Sequence, residues 1–98
     1  MLLLKTFDVV KAALNKNELR YLMRKLKLPE DKVLEIEQTY AGKDKLQDRV
    51  YNSLLFWLKH RGPLATLDEL IRVFYIIGYD QVCDKLRTMK VYSQRLRL

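Results

Sequence analysis

The sequence predicts an all-α protein, a six-helix antiparallel bundle, and three observations carry that prediction. Apolar residues recur at three- and four-residue spacing through most of the chain. The three glycines and two prolines punctuate those stretches and are too few to close a set of hairpins. No run of alternating apolar and polar residues stands between turn residues, so strands have little to form from.

At about 100° per residue, Leu3, Phe7, Val10 and Leu14 share one face of a first helix that Asn15 and Asn17 end. A second helix, from about Glu18 to Lys27, turns Leu19, Leu22 and Leu26 inward and groups Arg20, Arg24 and Lys27 on the outside. Pro29 opens the third at a position that tolerates a fixed φ, and Glu30 and Asp31 follow in the first turn, where the helix dipole favours carboxylates. Val33, Ile36, Glu37 and Tyr40 take its inner side, Asp31, Glu35 and Gln38 its outer side, and Ala41-Gly42 closes it with an αL glycine.

The fourth helix, from about Asp44 to His60, carries the clearest stripe in the chain: Leu46, Val50, Leu54, Trp57 and Leu58. Gly62-Pro63 ends it. Thr66-Leu67-Asp68-Glu69 then reads as a capping box, with the Thr66 hydroxyl on the Glu69 amide and the Glu69 carboxylate reaching back. Leu67, Leu70, Val73, Phe74 and Ile77 form the inward face of the fifth helix up to Gly78, and Asp80 caps a sixth that carries Val82, Leu86 and Met89. The expected core is therefore built on Leu22, Leu26, Ile36, Val50, Leu54, Trp57, Leu70 and Phe74, with the one indole as its central anchor.

A chain of 98 residues supports one core, and 49% hydrophobic with 32% charged residues is the balance of a folded domain. The domain is assigned to residues 1–90. Residues 91–98 are read as a basic tail, because the last fourteen residues contain Lys85, Arg87, Lys90, Arg95 and Arg97 and no acidic side chain. The opening leucines are interrupted by Lys5 and Asp8 before they can act as a signal sequence or enter a membrane, and the single cysteine suits a reducing, cytoplasmic setting.

Enzyme chemistry finds no footing here. Cys83 and His60 are the only residues of their kinds, so metal clusters of usual ligand spacing cannot be assembled, and neither a nucleophile elbow nor a phosphate-binding loop occurs. Cys83 reads as a packed thiol and His60 as a helix-end residue whose charge, when carried, would suit the dipole. No cofactor or metal is expected.

A net charge of +7 admits an anionic partner: nucleic acid, an anionic membrane or an acidic protein surface. Nucleic-acid binding is the alternative reading. Against it, the basic second helix is followed by an acidic third, and no recognition helix rich in Arg, Asn and Gln follows a glycine-bearing turn. Opposite charges on separate faces suit head-to-tail protein contacts instead. Phe56 lies about 100° from Trp57, outside the apolar stripe, where an aromatic can anchor an interface.

Four segments carry a resemblance: L-R-Y-L-M-R-K-L-K-L from Leu19 to Leu28, K-V-L-E-I-E from Lys32 to Glu37, D-R-V-Y-N-S-L-L-F-W-L from Asp48 to Leu58, and A-T-L-D-E-L-I from Ala65 to Ile71. In this order they resemble the death domain, the Greek-key six-helix bundle of apoptotic and innate-immune adaptors. The Trp57 position and the A-T-L-x-x-L start of the fifth helix are its most specific marks. The resemblance implies homotypic binding to another death-domain protein, a receptor tail, an adaptor or a further copy, through asymmetric contacts of basic on acidic surfaces. It points to Arg20 and Arg24 first, then to Lys27, Asp31, Glu35, Asp44, Asp48 and Phe56 as partner-binding residues.

Overall fold

The computed structural model describes residues 2–96, and the side chains of residues 2–93. Six α-helices follow one another: α1 (Leu2–Ala13), α2 (Lys16–Lys25), α3 (Glu30–Thr39), α4 (Leu46–Arg61), α5 (Leu67–Ile76) and α6 (Asp80–Leu96). Short 3-10 turns at Lys43–Lys45 and Gly62–Leu64 lead into α4 and α5, and no strand occurs among the described residues. Helix α4 is central, lying against α1, α2 and α3, while α6 lies against α1 and α5.

One core joins the helices because each contributes an apolar stripe that only the others can cover. Phe7, Val10, Leu22, Val50, Leu54, Leu70, Phe74 and Leu86 are wholly buried, and Leu26 and Ile36 are buried beside them. Trp57 is 3% exposed and tilts against Phe7, ring centres 6.4 Å apart. The indole therefore shares the centre with Phe7 and Phe74, both fully enclosed, and does not hold it alone.

Buried polar groups find local partners, which removes the desolvation cost of enclosing them. The Thr6 hydroxyl donates to the Leu3 carbonyl at 2.6 Å and the Ser53 hydroxyl to the Arg49 carbonyl at 2.7 Å. The Cys83 thiol is buried and directed at the Ile71 carbonyl across the α5–α6 contact. His60 sits in the last turn of α4, its ring stacked on Phe56 at 5.4 Å.

Helix ends are where the sequence expectations shift. Asn15, read as a terminator of α1, is the N-cap of α2: its side chain accepts from the Glu18 amide at 2.8 Å and the Glu18 carboxylate accepts from the Asn15 amide at 2.9 Å. This closed capping box starts α2 at Lys16, two residues before the expected start at Glu18. At α5 the box is half formed. Thr66 accepts from the Glu69 amide, but the Glu69 carboxylate turns to Arg61 instead of reaching back.

Pro29 occupies the N-cap of α3, one place ahead of the first helical residue. Gly42 does not close that helix in αL geometry; its φ of 110° and ψ of 155° set up the 3-10 turn that precedes α4. Asp80 stands in the first turn of α6 and is not its cap. Gly78, with φ 81°, does end α5 in a left-handed turn, the Tyr79 amide reaching the Phe74 carbonyl at 3.0 Å. The boundary placed after residue 90 falls inside α6, which continues to Leu96. Of the basic residues assigned to a tail, Arg97 and the side chain of Arg95 lie outside the described residues.

Candidate protein-binding surface

The capping box at Asn15 fixes the rotation of α2, and with it the direction of Arg20 and Arg24, which are exposed and one turn apart. The helix ends in a Schellman turn: the Lys27 amide reaches the Arg24 carbonyl at 3.0 Å and the Leu28 amide reaches the Met23 carbonyl at 3.1 Å. Lys27 thus lies beyond the helix at φ 61°, in the left-handed position that glycine favours, and is not the third member of a helical basic stripe.

Glu37, assigned to the inner side of α3 by its spacing, reaches the surface. Its carboxylate accepts from the Arg20 guanidinium at 3.2 Å, so the basic face of α2 and the acidic residues of α3 adjoin each other and are not on separate sides of the molecule. Arg20, Arg24, Glu30 and Glu37 rim one shallow depression of about 230 Å³, floored by Met23 and Leu28. Leu34 stands on its α3 wall, 54% exposed. Lys16 and Arg49 gather with Arg20 around a narrower cleft next to Glu37.

The remaining acidic residues are spread out. Asp31 is exposed, and Glu35 is exposed and paired to Lys32 at 2.9 Å within α3. Asp44 lies in the 3-10 turn, not on α4, whereas Asp48 occupies the first turn of α4 and lies 3.9 Å from Lys45. The Arg49 guanidinium donates to the carbonyls of Tyr40 and Gly42 and so anchors the α3–α4 link.

Phe56 is half-buried, against the expectation of an open aromatic anchor. The Lys32 ammonium of α3 lies 5.2 Å above its ring and His60 stacks alongside. Leu34 (54% exposed) is the large apolar group that stands open on the α2–α3 face. Leu34 had a visible signal, since it is the leucine of α3 that the Val33–Ile36 stripe leaves out. Lys16 and Arg49 had none, because their meeting point depends on how α2 crosses α4.

Six helices, a core tryptophan in α4 and a Thr-capped α5 are thus arranged around an exposed, charged α2–α3 face. A family model for the death domain matches residues 5–90, well over half of the chain. The chain belongs to the death-domain family. Death domains are non-catalytic modules of homotypic protein–protein interaction, and the surface of this death domain has the character of a contact face. Its charges rim a depression between two helices, and no group of three His, Cys, Asp or Glu among the described residues is placed to hold a metal. No helix among the described residues is long and apolar enough to cross a membrane.

Proposed function

We propose that this death domain is an adaptor module of cytoplasmic signalling that binds a second death domain through its α2–α3 face, with Arg24 as the principal contact. The observation that carries this reading is the contrast between two neighbouring arginines. Arg20 is engaged by Glu37 at 3.2 Å, while Arg24, one turn on and also exposed, makes no ion pair among the described residues. An exposed cation with no ion pair of its own has all its donors free for a partner's carboxylate, with no existing pair to break on binding.

Asp31, Glu35, Asp44 and Asp48 supply acidic surface for the opposite end of such a contact. Among death domains the quoted segments look most like those of the Fas-associated adaptor, in which the domain couples an upstream death domain to caspase recruitment through a separate effector domain. That likeness supports a place in apoptotic or innate-immune signalling. Nucleic-acid binding is disfavoured because Glu30 and Glu37 sit against the arginines and would repel phosphates from the same face.

The test is capture from cells with the wild-type domain and with Arg24→Glu, followed by identification of the retained proteins. Loss of a death-domain protein from the variant's catch, with an unchanged circular dichroism spectrum, is the expected result. Retention of the same death-domain proteins by the variant would remove Arg24 from the contact.

A further inference from the structure

The α2–α3 face carries both signs of charge side by side. Arg20 opposes Glu37 at 3.2 Å, and Arg24, in the last turn of α2, shares the depression with Glu30, in the first turn of α3. The two helices therefore run antiparallel along the depression, with a basic strip on one bank and an acidic strip on the other. A two-fold axis lying in the surface and running along the depression exchanges the banks. It lays the arginines of one copy over the glutamates of the next, and the reverse, at the same positions along the axis.

We propose that this face is a self-complementary, closed two-fold contact between two copies of the chain. It rests on the homotypic reading above and names the partner as a second copy, in a symmetric arrangement in place of a head-to-tail one. Arg24 of each copy meets Glu30 of the other, and the Arg20–Glu37 pairs of the two copies merge into a four-group cluster. Leu34, 54% exposed beside a depression of about 230 Å³ floored by Met23 and Leu28, supplies an apolar side chain and a hollow that can receive its counterpart. A contact in which residue i meets j and j meets i closes at two copies and leaves no open end for growth.

The net charge of +7 opposes self-association at long range. At physiological ionic strength the screening length is about 8 Å, so repulsion between distant charges is damped while carboxylate and guanidinium groups in contact still attract. Each substitution acts twice in a two-fold contact, which makes the variants discriminating.

Sedimentation velocity of the purified domain across a concentration series, at physiological ionic strength, tests the arrangement. The wild-type protein should rise from monomer to dimer mass and stop. Arg24→Glu and Glu30→Arg should each lower the association constant about tenfold or more, since either variant alone places like charges in both pairs of its dimer, and an equimolar mixture of the two should restore it, because both pairs of the mixed dimer are again of opposite charge. Leu34→Asp gives an independent arm that leaves both arginines and both glutamates in place, and circular dichroism confirms that each variant is folded.

A wild-type protein that stays monomeric throughout, a mass that climbs past two copies, or variants that dimerise normally would each overturn the two-fold contact. Arg24-dependent capture of a different death domain by a strictly monomeric protein would leave the homotypic reading intact and remove only this inference. Capture that is indifferent to Arg24 would remove the reading itself.

Discussion

The Arg61 guanidinium donates to the Glu69 carboxylate at 3.0 Å, bridging the 3-10 turn between α4 and α5 and drawing Glu69 away from the N-cap it would otherwise close. Thr66 alone then satisfies the first turn of α5. Thr66→Ala should cost about 1 kcal/mol, the usual worth of a single side-chain cap. Glu69→Gln should cost less, about 0–1 kcal/mol, since it weakens an exposed ion pair and leaves the Thr66 cap in place. Urea unfolding of the two variants decides the ranking. A larger loss from Glu69→Gln would mean that the ion pair to Arg61, and not the Thr66 cap, is what chiefly holds the start of α5.

Lys27 offers a gain in stability. Its φ of 61° places a side chain where the β-carbon crowds the backbone, and the Schellman turn around it is the setting in which glycine is favoured. Lys27→Gly relieves that strain but loosens the unfolded chain, and the balance should favour the variant by about 0.5–1 kcal/mol. Thermal unfolding should show a midpoint a few degrees higher. Because the same substitution removes a cation next to Arg24, unchanged capture of a death-domain partner by this stabilised variant would exclude Lys27 from the contact.

Periodicity made the helices readable, and chain ends within the fold did not follow from it. The stripe through Val50, Leu54 and Trp57 identifies α4 because an indole and branched side chains at helical spacing have nowhere to go but inward. Asn15 was ambiguous for a physical reason: the same residue that cannot extend one helix is a good cap for the next. Glu69 was misassigned because a capping pattern states what a carboxylate can reach locally, and Arg61 competes for it from across the turn. The site shows the same division. That Arg20 and Arg24 face outward follows from their spacing, but the meeting of Arg20 with Glu37 depends on a helix–helix crossing that no local pattern encodes.

Trp57 and Phe56 are adjacent in sequence and differ in surroundings, which gives a paired prediction. Trp57 is 3% exposed and packed on Phe7, so Trp57→Ala should cost about 3–5 kcal/mol, most or all of the stability of a domain at the low end of the usual range. Phe56 is half-buried under Lys32 and beside His60, and Phe56→Ala should leave a folded protein that is measurably weaker. Near-ultraviolet circular dichroism and urea titration separate the two outcomes. Equal losses would place Phe56 in the core proper.

Arg49 links the stability of the α3–α4 connection to the α2–α3 face. Its guanidinium holds the carbonyls of Tyr40 and Gly42, the stretch where α3 stops and the backbone passes through a φ of 110° at Gly42 before the turn into α4. Arg49→Met keeps the apolar stem and removes the donors. It should cost about 1–3 kcal/mol, because hydrogen bonds from a charged donor are worth more than neutral ones and a part-buried carbonyl is left to water. The loss should be local as well as global, with faster amide exchange over residues 40–45 than elsewhere in the core. Arg49 also lines the cleft next to Glu37, so its removal separates anchoring from recognition. A folded Arg49→Met protein that still captures its partner, and loses it only when Arg24→Glu is added, assigns Arg49 to the frame, whereas loss of capture at unchanged stability would assign it to the contact.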